Sequence, residues 1–378
     1  MPEPSAKPAS NPLTILHTEA SDAWGGQEIR ILSEALWMRE QGHRIILVTP
    51  GEGQLFKNAQ EAGLEVESLA LAKKTQLGDF FAMRRLLRRY QPQVVATHSS
   101  VDSWVGLLAA RSCRIRTVRF RHVSTGVGAH SLNRIQYGKL ADAVVTTGNC
   151  IGQQLIDELG VPAERVHTIA TGVRVPAELA EREDARRTLA TELRLPETAR
   201  FIGQVSVLRS WKGHAFLIEA FRMLAAEFPG HHLVLVGDGP IRGTIEALIA
   251  YSGLASRIHL TGHRSDPWPA FRAFDVATLA STKNEGIPQS GIQAMFAGTP
   301  FVGTNVGGIP EIIDDGTSGL LVPGSDAAEL AGAIRRFLQD SNFAASCAEQ
   351  ARQKALANHT LDAMGTKMVA LYASLLSL

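Results

Sequence analysis

The stretch LTILHTEASDAWGGQEIRILSEALWMREQGHRIILVTP (13–50) contains the alternation that decides the fold class. Its first part, LTILHTEA (13–20), is apolar enough for a buried strand. QEIRILSEALWMREQG (27–42) has the period of an amphipathic helix that ends at Gly42, and HRIILVTP (43–50) is a second strand that Pro50 stops. A buried strand, a helix and a second buried strand predict a parallel βαβ unit with a right-handed crossover.

The same alternation continues outward from this unit in two series, separated by a charged segment with prolines at 174–200. The further strands predicted are VVATHSS (94–100), RTVRFRHVS (116–124), DAVVTTG (142–148), VHTIATGV (166–173), FIGQVSVL (201–208), HLVLVGDG (232–239), RIHLTGH (257–263), VATLAST (276–282) and PFVGTN (300–305). We therefore expect an α/β protein with two doubly wound, Rossmann-like parallel-sheet domains, at 13–174 and 175–360. Residues 1–12 are polar and proline-rich, which predicts a flexible tail.

Composition excludes several other classes of protein. The 378 residues are 45% hydrophobic and 20% charged, which is ordinary for a globular chain, and 38 basic against 37 acidic residues give no overall attraction to nucleic acid. Three cysteines without Cys-x-x-Cys spacing predict a reducing compartment, with neither a disulfide framework nor a zinc site. No apolar run reaches the roughly 20 residues that span a bilayer, and no signal peptide is visible, so we expect a cytoplasmic protein.

In open parallel sheets, ligands bind beyond the carboxyl ends of the strands, and two such domains face to face predict a site in the cleft between them. AWGGQE (23–28) lies at such a strand end, where Gly25 and Gly26 allow close approach of a ligand to the start of a helix. An ordinary strand-to-helix turn explains these glycines equally well. The sequence lacks G-x-G-x-x-G here, so it is not a dinucleotide fingerprint.

Two further groups of polar residues follow strands. Arg209 and Lys212 lead into a helix and have the charge and spacing to bracket a diphosphate, although two ordinary solvated charges are the alternative. His98 and His122 each follow a strand of the first domain, either as structural groups or as donors to sugar hydroxyls.

The segment STKNEGIPQSGIQAMFAG (281–298) combines a carboxylate, a glycine-proline corner and a short helix. We expect the helix to begin near Pro288 and to end at Gly298. The N–H groups at its start, from Gln289, Ser290 and Gly291, suit phosphate oxygens, while Glu285 before the helix suits sugar hydroxyls. The alternative is a buried turn with an incidental glutamate.

This segment and its continuation resemble the signature of retaining glycosyltransferases of the GT-B, family 4 type. The signature has two glutamates separated by seven residues and a glycine-rich tail, and this chain supplies Gly298, Pro300, Thr304, Gly307, Gly308, Glu311, Gly316 and Gly319 of that tail. The resemblance extends to the Gly25–Gly26 loop, the Arg/Lys-Gly element and VGDGP (236–240). Two positions depart from it: Gln293 stands where the second glutamate is usual, and Arg209 replaces an arginine usually found at the position of Val207.

The resemblance implies a nucleotide-sugar site in the second domain and an acceptor site in the first. It implies that Glu285 and His122 contact the transferred sugar, that Gln293 contacts the ribose, and that Arg209 and Lys212 act on the diphosphate. The donor-binding set is Gly26, Arg209, Lys212, Gly262, Arg264, Glu285, Gly286, Ile287, Pro288, Gln289, Ser290 and Gln293. The acceptor-binding set is Gly25, His98 and Ser99. The resemblance also implies a C-terminal helix within 361–378 that packs back toward the N-terminal domain.

By the same resemblance the donor is a nucleoside-diphosphate sugar, with UDP favoured and GDP or ADP as alternatives, and no metal or other cofactor takes part. The acceptor is expected to be a glycan or a lipid-linked molecule such as a lipopolysaccharide core. A sugar-nucleotide epimerase and a non-catalytic nucleotide-sugar binding protein remain as alternatives.

A last feature concerns membranes. FFAMRRLLRRYQP (80–92) sets apolar residues at helical spacing beside four arginines. The same domain has five more arginines, at positions 111, 114, 116, 119 and 121. The segment predicts either a crossover helix with a solvated basic face or a patch that docks on anionic lipid at the inner face of the cytoplasmic membrane.

Overall fold

The computed structural model describes residues 11–123 and 125–377, and most of the predicted tail at 1–12 lies outside them. The chain divides into two compact units. Unit 1 runs to Arg174 and also contains the chain from Leu361 onward, and unit 2 is Val175–Thr360.

Unit 1 is built on a seven-stranded sheet in which every strand pair is parallel. The strands are β1 (Thr14–Thr18), β2 (Arg44–Thr49), β3 (Glu65–Ser68), β4 (Val94–Thr97), β5 (Arg116–Arg121), β6 (Ala143–Thr146) and β7 (Val166–Thr168). The helices are α1 (Gly26–Glu40), α2 (Gln54–Glu61), α3 (Gln76–Tyr90), α4 (Ser100–Ser112), α5 (Ser131–Arg134), which continues as a π-helical turn at Ile135–Leu140, and α6 (Asn149–Leu159). The order of the strands in the sheet is β3-β2-β1-β4-β5-β6-β7, so the direction of winding reverses between β1 and β4.

Unit 2 has a six-stranded sheet, also parallel throughout, in the order β10-β9-β8-β11-β12-β13. Its strands are β8 (Arg200–Val205), β9 (His231–Val236), β10 (Ile258–Gly262), β11 (Val276–Leu279), β12 (Phe301–Thr304) and β13 (Leu320–Val322). Its helices are α7 (Arg182–Glu192), α8 (His214–Leu224), α9 (Arg242–Tyr251), α10 (Trp268–Ala273), α11 (Gln289–Phe296), α12 (Ile309–Ile312), α13 (Ala327–Gln339) and α14 (Ser341–Asn358). The winding reverses between β8 and β11, and the two sheets confirm the predicted doubly wound α/β class.

The last helix, α15 (Leu361–Leu376), belongs to unit 1. Its buried face, including Met368 and Tyr372, joins the core formed by α1 and the strands around β1. The Tyr372 hydroxyl donates to Glu34 Oε1 at 3.2 Å. Burial raises the pKa of the Glu34 carboxyl despite the nearby Arg30 guanidinium.

Three local expectations need correction. Strands β3 and β13 were not predicted, because β3 alternates Glu65 and Glu67 with other residues at an edge of the sheet and β13 has only three residues. The segment 174–200, expected only as a boundary, begins where the chain passes from unit 1 to unit 2 and also contains helix α7, in which Arg186 is buried and pairs with Asp275 before β11 at 2.7 Å. Several strands also end earlier than expected, since residues such as His98 have already turned away to start the next helix.

Candidate active site

The carboxyl edge of the unit 2 sheet brings Lys212 and Glu285 together. Lys212 ends a 3₁₀ turn (Ser210–Lys212) after β8, and its Nζ lies 2.6 Å from Glu285 Oε1 in the loop after β11. Both side chains are largely buried, at 17% and 6% exposure, and the Ser281 hydroxyl donates to the same Oε1 at 2.5 Å. The pair therefore holds a cation and a carboxylate at the edge where a parallel sheet binds its ligands.

A buried glutamine, which the sequence analysis did not single out, fixes the two loops to each other. Gln204 at the end of β8 donates from Nε2 to the Lys212 carbonyl at 2.9 Å and accepts from the Ala280 N–H at 3.0 Å. His214 at the start of α8 bonds to the Ser206 hydroxyl at 3.1 Å, and burial, aided by the Lys212 charge, lowers the His214 pKa to about 4. A polar residue inside an otherwise apolar strand was the signal for Gln204.

Glycines bring the backbone of a neighbouring loop against Glu285. The Gly308 N–H donates to the Glu285 carbonyl at 3.1 Å. A Cβ on Gly307, which has φ +55°, would lie 2.1 Å from that carbonyl oxygen, and a Cβ on Gly308 would lie 2.7 Å from the Gly286 carbonyl. The two glycines of the signature tail thus hold the Glu285–Gly286 corner by direct backbone contact.

Helix α11 follows that corner. Pro288 has an extended conformation and is the residue before the helix, which begins at Gln289, near Pro288 as expected. Ile287 and Pro288 are buried, while Gly286, Ser290 and Gln293 are half-buried. N–H groups in the first turn of an α-helix have no acceptor within the helix, so the start of α11 beside the Lys212–Glu285 pair suits an anion.

The other predicted donor residues of unit 2 lie at the same edge with different partners. Arg209 is exposed, and its guanidinium lies over the Trp211 ring at 5.2 Å. Gly262 ends β10 and accepts from the Gly237 N–H at 2.8 Å. Arg264 pairs with Glu192 of α7, so in this structure its charge is already neutralised.

In unit 1, three histidines form one hydrogen-bonded row at the carboxyl edge of the sheet. His98 Nε2 lies 2.9 Å from His17 Nδ1, and His98 Nδ1 lies 2.9 Å from His122 Nε2. The sequence analysis selected His98 and His122 and missed His17 in β1. A histidine inside an apolar strand was the available signal.

The row is a neutral one. A neutral imidazole has one N–H, so both hydrogen bonds must run in the same direction along the row. Burial lowers the His17 pKa to about 3, and it lowers the pKa of His98 and His122 well below the usual value, with Arg30 and Arg119 adding to the effect. The atoms at the two ends of the row, His17 Nε2 and His122 Nδ1, are both buried and have no hydrogen-bond partner among the described residues, so each end is open to one more hydrogen bond.

Two buried carboxylates accompany the row. Asp102 in α4 accepts from the Thr18 hydroxyl at 2.6 Å and from the Ser99 N–H at 2.8 Å, so Ser99 caps α4 rather than projecting freely. Burial and the Asp102 charge raise the pKa of Glu19 to about 7. Glu19 also accepts from Gln27, one residue after Gly26, and so ties the Gly25–Gly26 loop to the end of β1.

The basic residues of unit 1 do not share one surface. Met83 and Leu87 of α3 are buried, whereas Arg85, Arg88 and Arg89 are exposed, as expected for a crossover helix with a basic face. Arg119 is 2% exposed, which contradicts its place in a lipid-docking patch. Among the described residues, no helix is long and apolar enough to cross a membrane, and no three His, Cys, Asp or Glu side chains are grouped as metal ligands would be.

Models of known protein families match residues of both units. The family model for glycosyl transferases group 1 matches residues 185–354, and the model for glycosyltransferase family 4 matches residues 24–175. Among curated relatives, the α-D-kanosaminyltransferase of Streptomyces kanamyceticus is 29% identical over 215 residues, which is 56% of this chain and 55% of that protein. The chain therefore spans about half the length of this relative.

Two further matches cover more of the chain. The D-inositol 3-phosphate glycosyltransferase of Corynebacterium glutamicum strain R is 25% identical over 368 residues, covering 88% of this chain and 87% of that protein. A crystal structure of Anabaena HepE in complex with UDP superposes with a TM-score of 0.84 at 20% identity, covering 96% of this chain and 100% of the other. At that identity the superposition establishes a shared fold.

Proposed function

We propose that this chain, which belongs to the family 4 glycosyltransferases (glycosyl transferases group 1), transfers a sugar from a nucleoside-diphosphate sugar to an acceptor with retention of anomeric configuration. The observation that carries the proposal is the Lys212–Glu285 pair beside the start of α11. UDP is the nucleotide we favour, since the Anabaena structure of the same fold contains it.

The proposed mechanism assigns charge stabilisation to unit 2. Lys212 and Arg209 neutralise the departing diphosphate, and the N–H groups at the start of α11 bind its oxygens. Glu285, released from part of its contact with Lys212 when the diphosphate arrives, accepts hydrogen bonds from hydroxyls of the transferred sugar. The leaving phosphate takes the proton of the acceptor hydroxyl, so that the new bond forms on the face from which the old one breaks and no metal ion is needed.

In unit 1, His122 is proposed to contact the sugar through its own end of the histidine row. Its Nδ1 either donates to a hydroxyl or accepts from one, according to the direction in which the row is protonated. His98 and Ser99 are proposed to position the acceptor, although the Ser99 hydroxyl already donates to Asp102 at 2.6 Å. Gly25 and Gly26 leave space at the start of α1 for donor and acceptor oxygens.

The deciding experiment is turnover of UDP-, GDP- and ADP-sugars by the purified protein with EDTA present, followed by proton NMR of the anomeric signal. We expect UDP-sugar to be consumed and the product to retain the donor's configuration. Conversion of the sugar nucleotide without an acceptor would instead identify an epimerase, and binding without any turnover would identify a non-catalytic protein.

A lipid-linked acceptor is proposed because of the outer face of α3. Leu77 and Phe81 are 74% and 59% exposed and lie one turn apart, with Arg85 one turn further on. Exposed Lys73 and Lys74 precede the helix. Each such charge contributes about 1 kcal/mol near an anionic bilayer, and the two apolar side chains are placed to enter it.

Flotation with phosphatidylglycerol vesicles tests this surface. The double variant Leu77→Ser/Phe81→Ser should lose most vesicle binding, whereas Tyr251→Ser, which changes an exposed aromatic residue of unit 2, should bind as the unaltered protein does. Absence of binding to phosphatidylglycerol at low salt would exclude membrane docking and leave a soluble acceptor.

A further inference from the structure

Beyond the histidine row, unit 1 contains a small polar cavity of about 220 Å³, here called the Arg119 pocket. Its wall includes Ser100, Arg119, Arg121, Asn133, Gln136 and Tyr137, and no acidic residue is among the described residues that line it. A water molecule takes about 30 Å³ in the liquid, so the cavity has room for a small polyatomic anion.

Arg119 lies almost fully buried at this pocket without an ion pair among the described residues. One of its terminal nitrogens donates to the carbonyl of Phe120 at 2.5 Å, and the guanidinium lies over the Tyr137 ring at 5.1 Å. Its Nε is buried and has no acceptor. Asp102 is the carboxylate whose ionisation Arg119 favours, yet its oxygens bond to Thr18, His98 and Ser99 instead.

Arg121 adds a second charge on the same face of β5, two residues along the strand. It donates to Thr125, and its Nε is likewise buried without a partner among the described residues. Burial lowers the pKa of Arg121, and the neighbouring Arg119 charge acts in the same direction. Two like charges in one cavity destabilise each other until an anion enters.

The start of α4 contributes to the positive electrostatic potential of the Arg119 pocket. Ser100 is the first residue of this thirteen-residue helix and lines the pocket. The positive end of a helix dipole favours negative charge, and here it adds to the two guanidinium groups only the part that Asp102 in the first turn of α4 does not already offset.

We propose that the Arg119 pocket binds an anionic group of the acceptor, a phosphate or a carboxylate. The inference rests on the proposed function for its identification of the ligand as an acceptor, while the anion site itself rests on the pocket. Arg121 is the last residue of β5 and His122 follows it, so the pocket and the histidine row lie at the same end of this strand. The charges of Arg119 and Arg121 also act on the His122 imidazole, which we propose to contact the transferred sugar. The anion sets which acceptors bind well, and the sugar-transfer chemistry is unchanged by it.

Isothermal titration with inorganic phosphate tests the pocket. The donor site is first saturated with UDP, and ionic strength is held constant with KCl. Arg121→Gln should weaken phosphate binding by about 10- to 150-fold, the range for one charge-assisted hydrogen bond, and Arg119→Lys should weaken it in the same direction. Arg116→Gln, at the start of the same strand and outside the pocket, should bind phosphate as the unaltered protein does.

The outcomes separate the pocket from the proposed function. Equal phosphate affinity in the unaltered protein and in Arg121→Gln would show that the Arg119 pocket is not an anion site, even if UDP binds and sugar is transferred. Failure of UDP, GDP and ADP all to bind would overturn the proposed function, while phosphate binding that depends on Arg121 would still establish the anion site. Arg121→Gln is the primary variant because Arg119 is more deeply buried and its replacement carries a greater risk to folding.

A second titration distinguishes a free phosphorylated acceptor from a lipid-linked one. Dihexanoylphosphatidic acid, used below its micelle concentration, presents the same phosphomonoester on a lipid. Binding at least about tenfold tighter than that of inorganic phosphate, and lost in Arg121→Gln, would identify a lipid-linked source. Equal affinities that are both lost in Arg121→Gln would identify a soluble phosphorylated acceptor.

Discussion

The carboxyl edges of the two sheets handle buried polar groups in different ways. In unit 2, a charged pair is held by backbone contact: Lys212 lies 2.6 Å from Glu285, and Gly307 and Gly308 lie against the Glu285–Gly286 corner. In unit 1, the row from His17 to His122 carries hydrogen bonds without net charge, since burial lowers the pKa of all its members. A buried charge needs a partner, whereas a neutral imidazole needs only donors and acceptors.

This difference fits the two tasks that we propose. Negative charge builds up on a leaving diphosphate, so the site that binds it benefits from fixed cations and a helix start. An acceptor is positioned by its hydroxyl groups, for which neutral donors and acceptors suffice. The buried carboxylates Glu19 and Asp102 and the two arginines of the Arg119 pocket depart from this pattern in unit 1. Neither arginine has a carboxylate partner among the described residues, which is why an anionic group on the acceptor is inferred.

The largest expected effect on stability comes from a change to the backbone of unit 2, and it tests the contrast between the two sheet edges. Gly307→Ala places a Cβ 2.1 Å from the Glu285 carbonyl at φ +55°, and we expect a loss of about 4 kcal/mol or more in the free energy of unfolding. Gly25→Ala in unit 1 meets only Glu28 Oε2 at 3.5 Å, in an extended conformation, and should change stability by less than about 0.5 kcal/mol. Urea unfolding of both variants measures the contrast, and similar losses in the two would refute it.

The next effect concerns the charged pair. Lys212→Met leaves the Glu285 carboxylate buried without its cation and should cost about 3 kcal/mol of stability. Adding Glu285→Gln should restore most of that loss, because both charges are then absent. A double-mutant cycle by chemical unfolding provides the measurement, and a purely additive cycle would show that the two side chains do not stabilise each other.

Lys212 and the exposed Arg209 should have similar effects on turnover and different effects on stability. Arg209→Ala and Lys212→Ala should each lower kcat/KM for UDP-sugar by about 10- to 150-fold, as expected for one charge-assisted hydrogen bond. Arg209→Ala should do so without loss of stability, since Arg209 is exposed and its guanidinium lies over the Trp211 ring. Near-normal turnover in both variants would remove them from the diphosphate site.

A smaller effect separates the ribose from the sugar. Gln293→Ala should weaken UDP binding by about 1–2 kcal/mol, the range for a lost neutral hydrogen bond. Glu285→Ala should act mainly on kcat, since Glu285 is proposed to contact the transferred sugar. Isothermal titration of UDP against both variants decides the matter: equal loss of affinity, or none for Gln293→Ala, would reject this division of roles.

Much of the fold was predictable because buried strands and amphipathic helices have different periods. The alternation from residue 13 to residue 50 already predicted the parallel sheet, and β1, α1 and β2 follow it closely. Strand β3 was not predicted because its glutamates lie at an edge of the sheet, where burial does not select apolar residues. Helix α7 was not predicted within the charged boundary segment because the burial of Arg186 depends on Asp275, which is 89 residues away in the sequence.

The candidate site was predictable only in part. Glu285 and the glycines near it could be selected because a signature constrains them together. His17 could not be, since a single histidine in a strand reveals neither the face on which it lies nor its neighbour across the sheet. The contact of Lys212 with Glu285 likewise depends on how two loops 73 residues apart meet.

The smallest effect tests the neutrality of the histidine row. The His17 pKa is lowered from 6.5 to about 3, so the unfolded chain binds more protons than the folded chain below pH 6.5. Stability is therefore lost as the pH falls from 6.5 toward 3, by up to about 1.4 kcal/mol per pH unit for each such histidine. Glu19 acts in the opposite sense, because its raised pKa removes stability as the pH rises from 4.5 through about 7.

His17→Asn isolates one imidazole of the row, because an asparagine amide can replace the Nδ1 contact to His98 without titrating. Between pH 7 and pH 5.5, the variant should lose about 1 kcal/mol less stability than the unaltered protein. His130→Asn, which changes an exposed histidine of the same unit, should give a curve parallel to that of the unaltered protein. Urea unfolding at the two pH values measures all three proteins. If His17→Asn were as acid-sensitive as the unaltered protein, the His17 pKa would be the same in the folded and unfolded chains, and His17 would take up a proton in the folded protein near pH 6.5. The contrast between a neutral edge and a charged edge would then fail.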